Sequence, residues 1–137
     1  MAKRQLYMTI KDMDRLDHLL IAAAGQAADM EPLEDLHNEL DQARLVRSES
    51  VPPDVVTMNS KVHIRDLATG EESTVTLVFP EDADPAQNRI SVLDPLGTAI
   101  LGYRVGDEIR WEGSRTTLHL KIEEILYQPE AAGDLHL

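Results

Sequence analysis
Apolar residues first recur along this chain at helical spacing. Residues 12 to 24 place Met13, Leu16, Leu20 and Ala23 three, four and three apart, and residues 32 to 46 repeat that spacing with Leu33, Leu36, Leu40 and Ala43. Both stretches predict helices with a narrow apolar seam. Thr9 followed by Asp12 forms a capping-box start for the first, while Pro32 with Glu34 and Asp35 suits the first turn of the second. Between them, Gly25 is a helix stop, and the connection through Met30 is short enough to force an antiparallel return. An antiparallel helical hairpin, a short coiled coil, follows over residues 1–50. Each arm is only roughly 20 Å long at 1.5 Å per residue.

The period then changes. Ser48 to Asp54 is polar and carries Pro52 and Pro53, which makes it a linker, and beyond it the alternation is that of strands. Val62 and Ile64 mark one strand, Val75, Leu77 and Phe79 the next, with a turn over Asp66 to Glu72 between them. A polar loop from Glu81 to Asn88 leads to a short strand through Ile90 and Val92. Pro95 then opens one brief helix containing Ala99, Ile100 and Leu101. Ile109 and Trp111 predict a further strand, and Leu118, Leu120 and Ile122 the last, with Glu123-Glu124 breaking the alternation as a bulge would. Gln128 to Leu137 is expected to be a tail without order. The fold class is therefore α+β, with the β-sheet domain over residues 51–137.

Composition narrows the function. The 137 residues include 13 Lys and Arg against 25 Asp and Glu, a net charge of −12, the wrong sign for neutralising phosphates. Direct sequence-specific nucleic acid binding is not expected; a basic surface on a larger partner suits this field better. The longest apolar runs are too short for a membrane span or a signal-peptide core, so no membrane association and a cytoplasmic location are expected. The absence of cysteine excludes disulfides and thiolate chemistry.

Candidate chemistry is sparse. The five histidines never pair at a compact ligand spacing and read as solvated side chains, so no metal and no cofactor is expected. Asp29, Glu31, Glu34 and Asp35 cluster at the hairpin tip, where they complement a helix N-terminus or join a partner's carboxylates around a divalent ion. The glycines match no phosphate-binding loop and the serines no nucleophile elbow, so no catalytic residue is identified.

Several longer stretches carry a resemblance. Val55-Val56-Thr57-Met58-Asn59-Ser60, Leu36 to Ala43 and Tyr127 to Asp134 resemble the bacterial family of regulators of nucleoside diphosphate kinase, which is related to the Gre transcript-cleavage factors. Ser91, Pro95, Leu101-Gly102 and Gly106-Asp107 match the C-terminal domain of the wider Gre group. The resemblance covers essentially the whole chain. It implies an FKBP-like sheet domain carrying an N-terminal coiled coil, with RNA polymerase as partner and docking at its secondary channel through Asp94, Pro95 and Leu96, with Ser91 beside them. In Gre factors a long hairpin carries tip acids, here Asp29 and Glu31, toward the catalytic magnesium. The arm of this chain is much shorter, which favours a monomeric transcription regulator that competes with or modulates Gre factors over a cleavage factor, with an indirect effect on nucleoside diphosphate kinase levels. Two other classes stay open. An FKBP-like fold suits a peptidyl-prolyl isomerase, although only Phe79, Tyr103, Trp111 and Tyr127 are available to line a proline pocket. A helical-hairpin dimerisation module is the other, because so short a seam gains from a partner helix.

Overall fold
In a computed structural model, which describes residues 6–25, 30–113 and 116–134, the first described element is a strand. Leu6–Thr9 forms β1, and the 15-residue helix α1 follows at once over Ile10–Ala24. Thr9 is its cap: the Thr9 hydroxyl accepts from the Asp12 backbone N–H at 3.0 Å. Helix α2, Glu31–Leu40, begins with Glu31 and Pro32 and brings the chain back to β2, Ala43–Val46, which pairs parallel with β1.

This β1–β2 pair corrects the sequence reading of one helix from 32 to 46. The local spacing through Ala43 is helical, but Ala43 to Val46 finds a strand partner some 37 residues away in register, Leu6 facing Ala43. A nonlocal backbone ladder outweighs a weak local preference. Strand β1 is anchored in turn by the Tyr7 N–H, which donates to the Gly102 carbonyl at 3.2 Å.

The second sheet has the order β5-β4-β3-β7-β6, with β3 over Lys61–Asp66, β4 over Glu72–Val78, β5 over Arg89–Ser91, β6 over Glu108–Glu112 and β7 over Thr117–Tyr127. All pairs are antiparallel except β4–β5. The alternation seen in the sequence sets the buried face: Val62 and Ile64, Val75 and Leu77, Ile109 and Trp111, Leu120 and Ile122 all point inward. In β7 the pairing with β3 skips Glu123, with Ile122 opposite Ile64 and Glu124 opposite His63, and a second shift skips Leu126. The interrupted alternation is thus a bulge. It keeps Ile122 on the core face while the strand bends. The short helix α3, Pro95–Ile100, lies against the sheet with Ala99 and Ile100 fully buried.

The C-terminal stretch departs from the expected tail. Gln128 is buried and caps a short helix, α4, over Pro129–Ala132, its carbonyl oxygen accepting from the Ala131 N–H at 3.2 Å. Its amide donates to the carbonyls of Pro52 at 2.9 Å and Val55 at 2.7 Å, which ties the chain end to the segment entering the sheet. Tyr127 donates to Asp134, and the Asp134 N–H to the Pro129 carbonyl. Polar side chains, absent from any apolar-periodicity count, order this segment.

One core serves both halves. Leu6, Met8, Leu16, Leu36 and Leu40 from the N-terminal elements join Val56, Met58, Val62, Leu77, Ile100, Trp111 and Ile122 in a single buried cluster. The helical pair is therefore seated on the sheet region, with its firmest contacts at Leu16 and Leu36, both fully buried. On α1 the seam is looser on either side of Leu16, where Met13, Leu20 and Ala23 are only half-buried.

Candidate protein-docking turn
The turn between β5 and α3 is built from its own side chains. The Ser91 hydroxyl accepts from the Leu93 N–H at 3.0 Å, and a carboxylate oxygen of Asp94 accepts from the Ser91 N–H at 3.2 Å. Thr98 closes the turn from the helix side, its hydroxyl donating to the Val92 carbonyl at 2.7 Å. The turn is so tight that a Cβ on Gly97 would lie 2.2 Å from the Ser91 carbonyl oxygen, which leaves glycine alone at that position. Pro95, at the start of α3, has no N–H to leave unbonded there.

The four residues singled out in the sequence therefore do different things. Asp94 and Pro95 are exposed, and Leu96 is half-buried with its inner side on the core. Ser91 is buried, and its backbone and hydroxyl hold the turn. A rigid loop presenting a proline and part of a leucine beside a carboxylate is suited to protein recognition.

Of the two tip acids, Asp29 lies outside the described residues. Glu31 is half-buried in the first turn of α2, and with Pro32 and Asp35 it forms one wall of a cleft of about 50 Å³. The other wall is Leu93, Pro95 and Trp111. The start of α2 and the β5–α3 turn, far apart in sequence, thus adjoin in space, and their exposed edges form one acidic and apolar face.

Other polar groups carry weight that the sequence reading did not assign. Asp12 is almost completely buried, and its carboxylate accepts from the Met58 N–H at 3.1 Å. Burial, reinforced by the nearby Glu130 charge, pushes its carboxyl up to about 6 against the opposing pull of that hydrogen bond and of Arg15. Glu39, also buried, accepts from the Trp111 indole N–H at 3.1 Å. Both lie on helix faces that the apolar spacing already marks as inward: Asp12 is four residues before Leu16, and Glu39 three after Leu36. A carboxylate within the seam is the signal available in sequence.

Around Met58 the Thr57 to Ser60 turn gathers further bonds. Asn59 takes a left-handed φ of 67°, the Thr57 N–H donates to the Ser60 hydroxyl at 2.9 Å, and the Thr57 hydroxyl donates to Glu130 of α4 at 2.7 Å. Asp54 and Arg104 pair at 2.9 Å, which raises the guanidinium pKa further. Among the histidines, His63 departs from the expected solvated state, with one ring nitrogen 3.1 Å from the Thr74 hydroxyl and the other 2.9 Å from Glu72. Glu72 is lowered accordingly, first by the His63 hydrogen bond and then by the Arg65 charge. Among the described residues no cluster of three or more His, Asp or Glu is arranged to hold a metal ion, and no helix is long and apolar enough to cross a membrane. Phe79, Tyr103 and Trp111 are core residues, each less than a tenth exposed.

Two protein families match the chain. Residues 51–127 match the family "Transcription elongation factor, GreA/GreB, C-term", and residues 4–46 match "Rnk N-terminus". A protein of Escherichia coli K12 named "Regulator of nucleoside diphosphate kinase" is 43% identical over 98% of both chains. "Transcription elongation factor GreA" of Nitratidesulfovibrio vulgaris Miyazaki F is 33% identical over 68% of this chain and 58% of that factor. Among solved structures, a "Prokaryotic transcription elongation factor GreA/GreB from Nitrosomonas europaea" superposes with a TM-score of 0.70 at 39% identity, covering 90% of this chain and all of that one. These relatives are named for regulation and for transcription elongation, and with a full-length relative this similar the chain belongs to the family of regulators of nucleoside diphosphate kinase, within the wider GreA/GreB group.

Proposed function
We propose that this protein binds RNA polymerase at the secondary channel, docks there through Asp94, Pro95 and Leu96, and competes with Gre factors without stimulating transcript cleavage. The observation that carries the reading is a Gre-type C-terminal region, residues 51–127, joined to a helical pair far too short for a reaching arm. Helix α1 has 15 residues, about 22 Å at 1.5 Å per residue, and the start of α2 rests beside Pro95 and Trp111. Glu31 then acts next to the docking turn. Cleavage would require carboxylates that place a second magnesium to within about 1 Å, at a depth this pair does not span.

Chemistry of the surface supports a basic partner face. A net charge of −12 accelerates association with such a face and excludes competing anions near it. An effect on nucleoside diphosphate kinase levels follows through transcription. A pull-down of core polymerase by wild-type protein, weakened by Pro95→Ala with Leu96→Gln and by raised salt, is the expected result. Undiminished binding by that variant, with native circular dichroism, removes the docking assignment.

A further inference from the structure
Apolar packing alone does not fix the direction of a short helical pair. Dispersion and burial are nondirectional, so a seam centred on Leu16 and Leu36 tolerates rotation about its own contact. The Tyr7 N–H bond to the Gly102 carbonyl anchors β1, and two side-chain bonds made by the helices themselves are directional as well. Asp12 of α1 accepts from the Met58 backbone N–H at 3.1 Å, and Glu39 of α2 accepts from the Trp111 indole at 3.1 Å. Met58 precedes β3, whereas Trp111 lies on β6, the edge strand at the other side of β7. One helix is thus bonded near the middle of the sheet and the other at its edge.

We propose that Asp12 and Glu39 are positioning residues, a two-point polar clamp that sets the angle of the helical pair on the sheet. One hydrogen bond leaves a swivel; a second, on the other helix and to another strand region, removes it. Each acceptor is the oxygen of a buried carboxyl group, and a hydrogen bond to it is directional in a way that apolar contact is not. Each donor would be left buried and unbonded if the pair rotated away, a cost that apolar contacts do not impose.

The groups around Asp12 argue against a role in stability alone. Burial has pushed its carboxyl up to about 6, with Glu130 acting in the same sense, so the folded protein holds this charge at a cost. A buried charge kept against that cost, hydrogen-bonded across two elements, trades stability for a unique arrangement. Two other bonds hold the clamp's own parts in place. The Thr9 hydroxyl fixes the first turn of α1, and the Thr57 hydroxyl bonded to Glu130 fixes the turn that presents the Met58 N–H. Trp111 is wedged in the core, where a Cβ on Gly113 would lie 2.2 Å from its ring, so its indole N–H has one direction to point.

The inference needs no assumption about polymerase, and its test does not involve one. The chain has no cysteine, so spin labels can be placed on the full-length protein through Ile21→Cys, on the exposed face of α1, and Glu71→Cys, in the exposed turn between β3 and β4. Pulsed electron resonance then reads the distance distribution between helical pair and sheet. The expected result is a single narrow distribution that broadens about twofold or more in Asp12→Leu with Glu39→Leu, and stays narrow in Asp12→Asn with Glu39→Gln, which keep an oxygen acceptor at each point. Trp111→Phe removes only the donor and its ring edge, and is expected to broaden the distribution while circular dichroism stays native. A distribution that stays narrow in Trp111→Phe, or in the folded double leucine variant, overturns the clamp. So does a broad distribution in the wild type.

Discussion
Asp12 shows how one side chain links sequence, packing and pH dependence. Its carboxyl titrates near 3.8 when exposed and near 6 when folded, so folding favours the protonated form. The stabilising contribution is therefore full below pH 3.8 and is lost as pH rises through 6. The rise corresponds to about 3 kcal/mol at 1.36 kcal/mol per unit. Denaturant melts at pH 4 and pH 7 are expected to show most of that difference for this group, and Asp12→Asn to flatten it; an unchanged pH profile in the variant contradicts the assignment. Gly97 makes a second residue-scale case. Gly97→Ala is expected to cost about 3 kcal/mol because its methyl meets a backbone carbonyl that cannot retreat. A loss under about 0.5 kcal/mol, within the range of an ordinary surface change, contradicts the tight turn.

At the level of elements, the seam and the C-terminal helix carry separate shares of stability. Leu36 is fully buried where α2 meets the core, and Leu36→Ala is expected to cost about 3 kcal/mol in a urea melt. Gln128→Ala removes the donor to the Pro52 and Val55 carbonyls together with the cap of α4, and is expected to cost about 2 kcal/mol. A negligible change at Gln128 contradicts an ordered C-terminus. The strands of the larger sheet were legible because Val62, Ile64, Val75, Leu77, Leu120 and Ile122 alternate with polar neighbours, and the Glu123 bulge because it interrupts that alternation. The β1–β2 pair was not, since parallel pairing between Leu6–Thr9 and Ala43–Val46 leaves no local periodicity to read. The α4 helix was missed for a different reason. Its order comes from hydrogen bonds of Gln128 and Glu130, whose partners sit more than seventy positions earlier. Of the β5–α3 turn, Ser91 and Pro95 were visible, whereas the approach of Glu31 depends on how α2 is seated on β6 and α3.

For the molecule as a whole, a short helical pair seated on a Gre-type sheet region changes what such a scaffold can do. The two halves share one core and the acids of α2 stand beside the β5–α3 turn, so the protein presents a compact acidic face. Burial of Phe79, Tyr103 and Trp111 in that core predicts no acceleration of prolyl isomerisation in a coupled-protease assay; turnover above the uncatalysed rate, lost on changing Tyr103 or Trp111, contradicts this. The central claim is occupation of the polymerase channel without catalysis. The most direct measurement is RNA shortening in a backtracked elongation complex, with this protein alone and with a Gre factor present. The account predicts no shortening by this protein alone and suppression of the shortening that the Gre factor stimulates. Shortened RNA with this protein alone, lost on Asp29→Ala or Glu31→Ala, would contradict it and make those carboxylates catalytic.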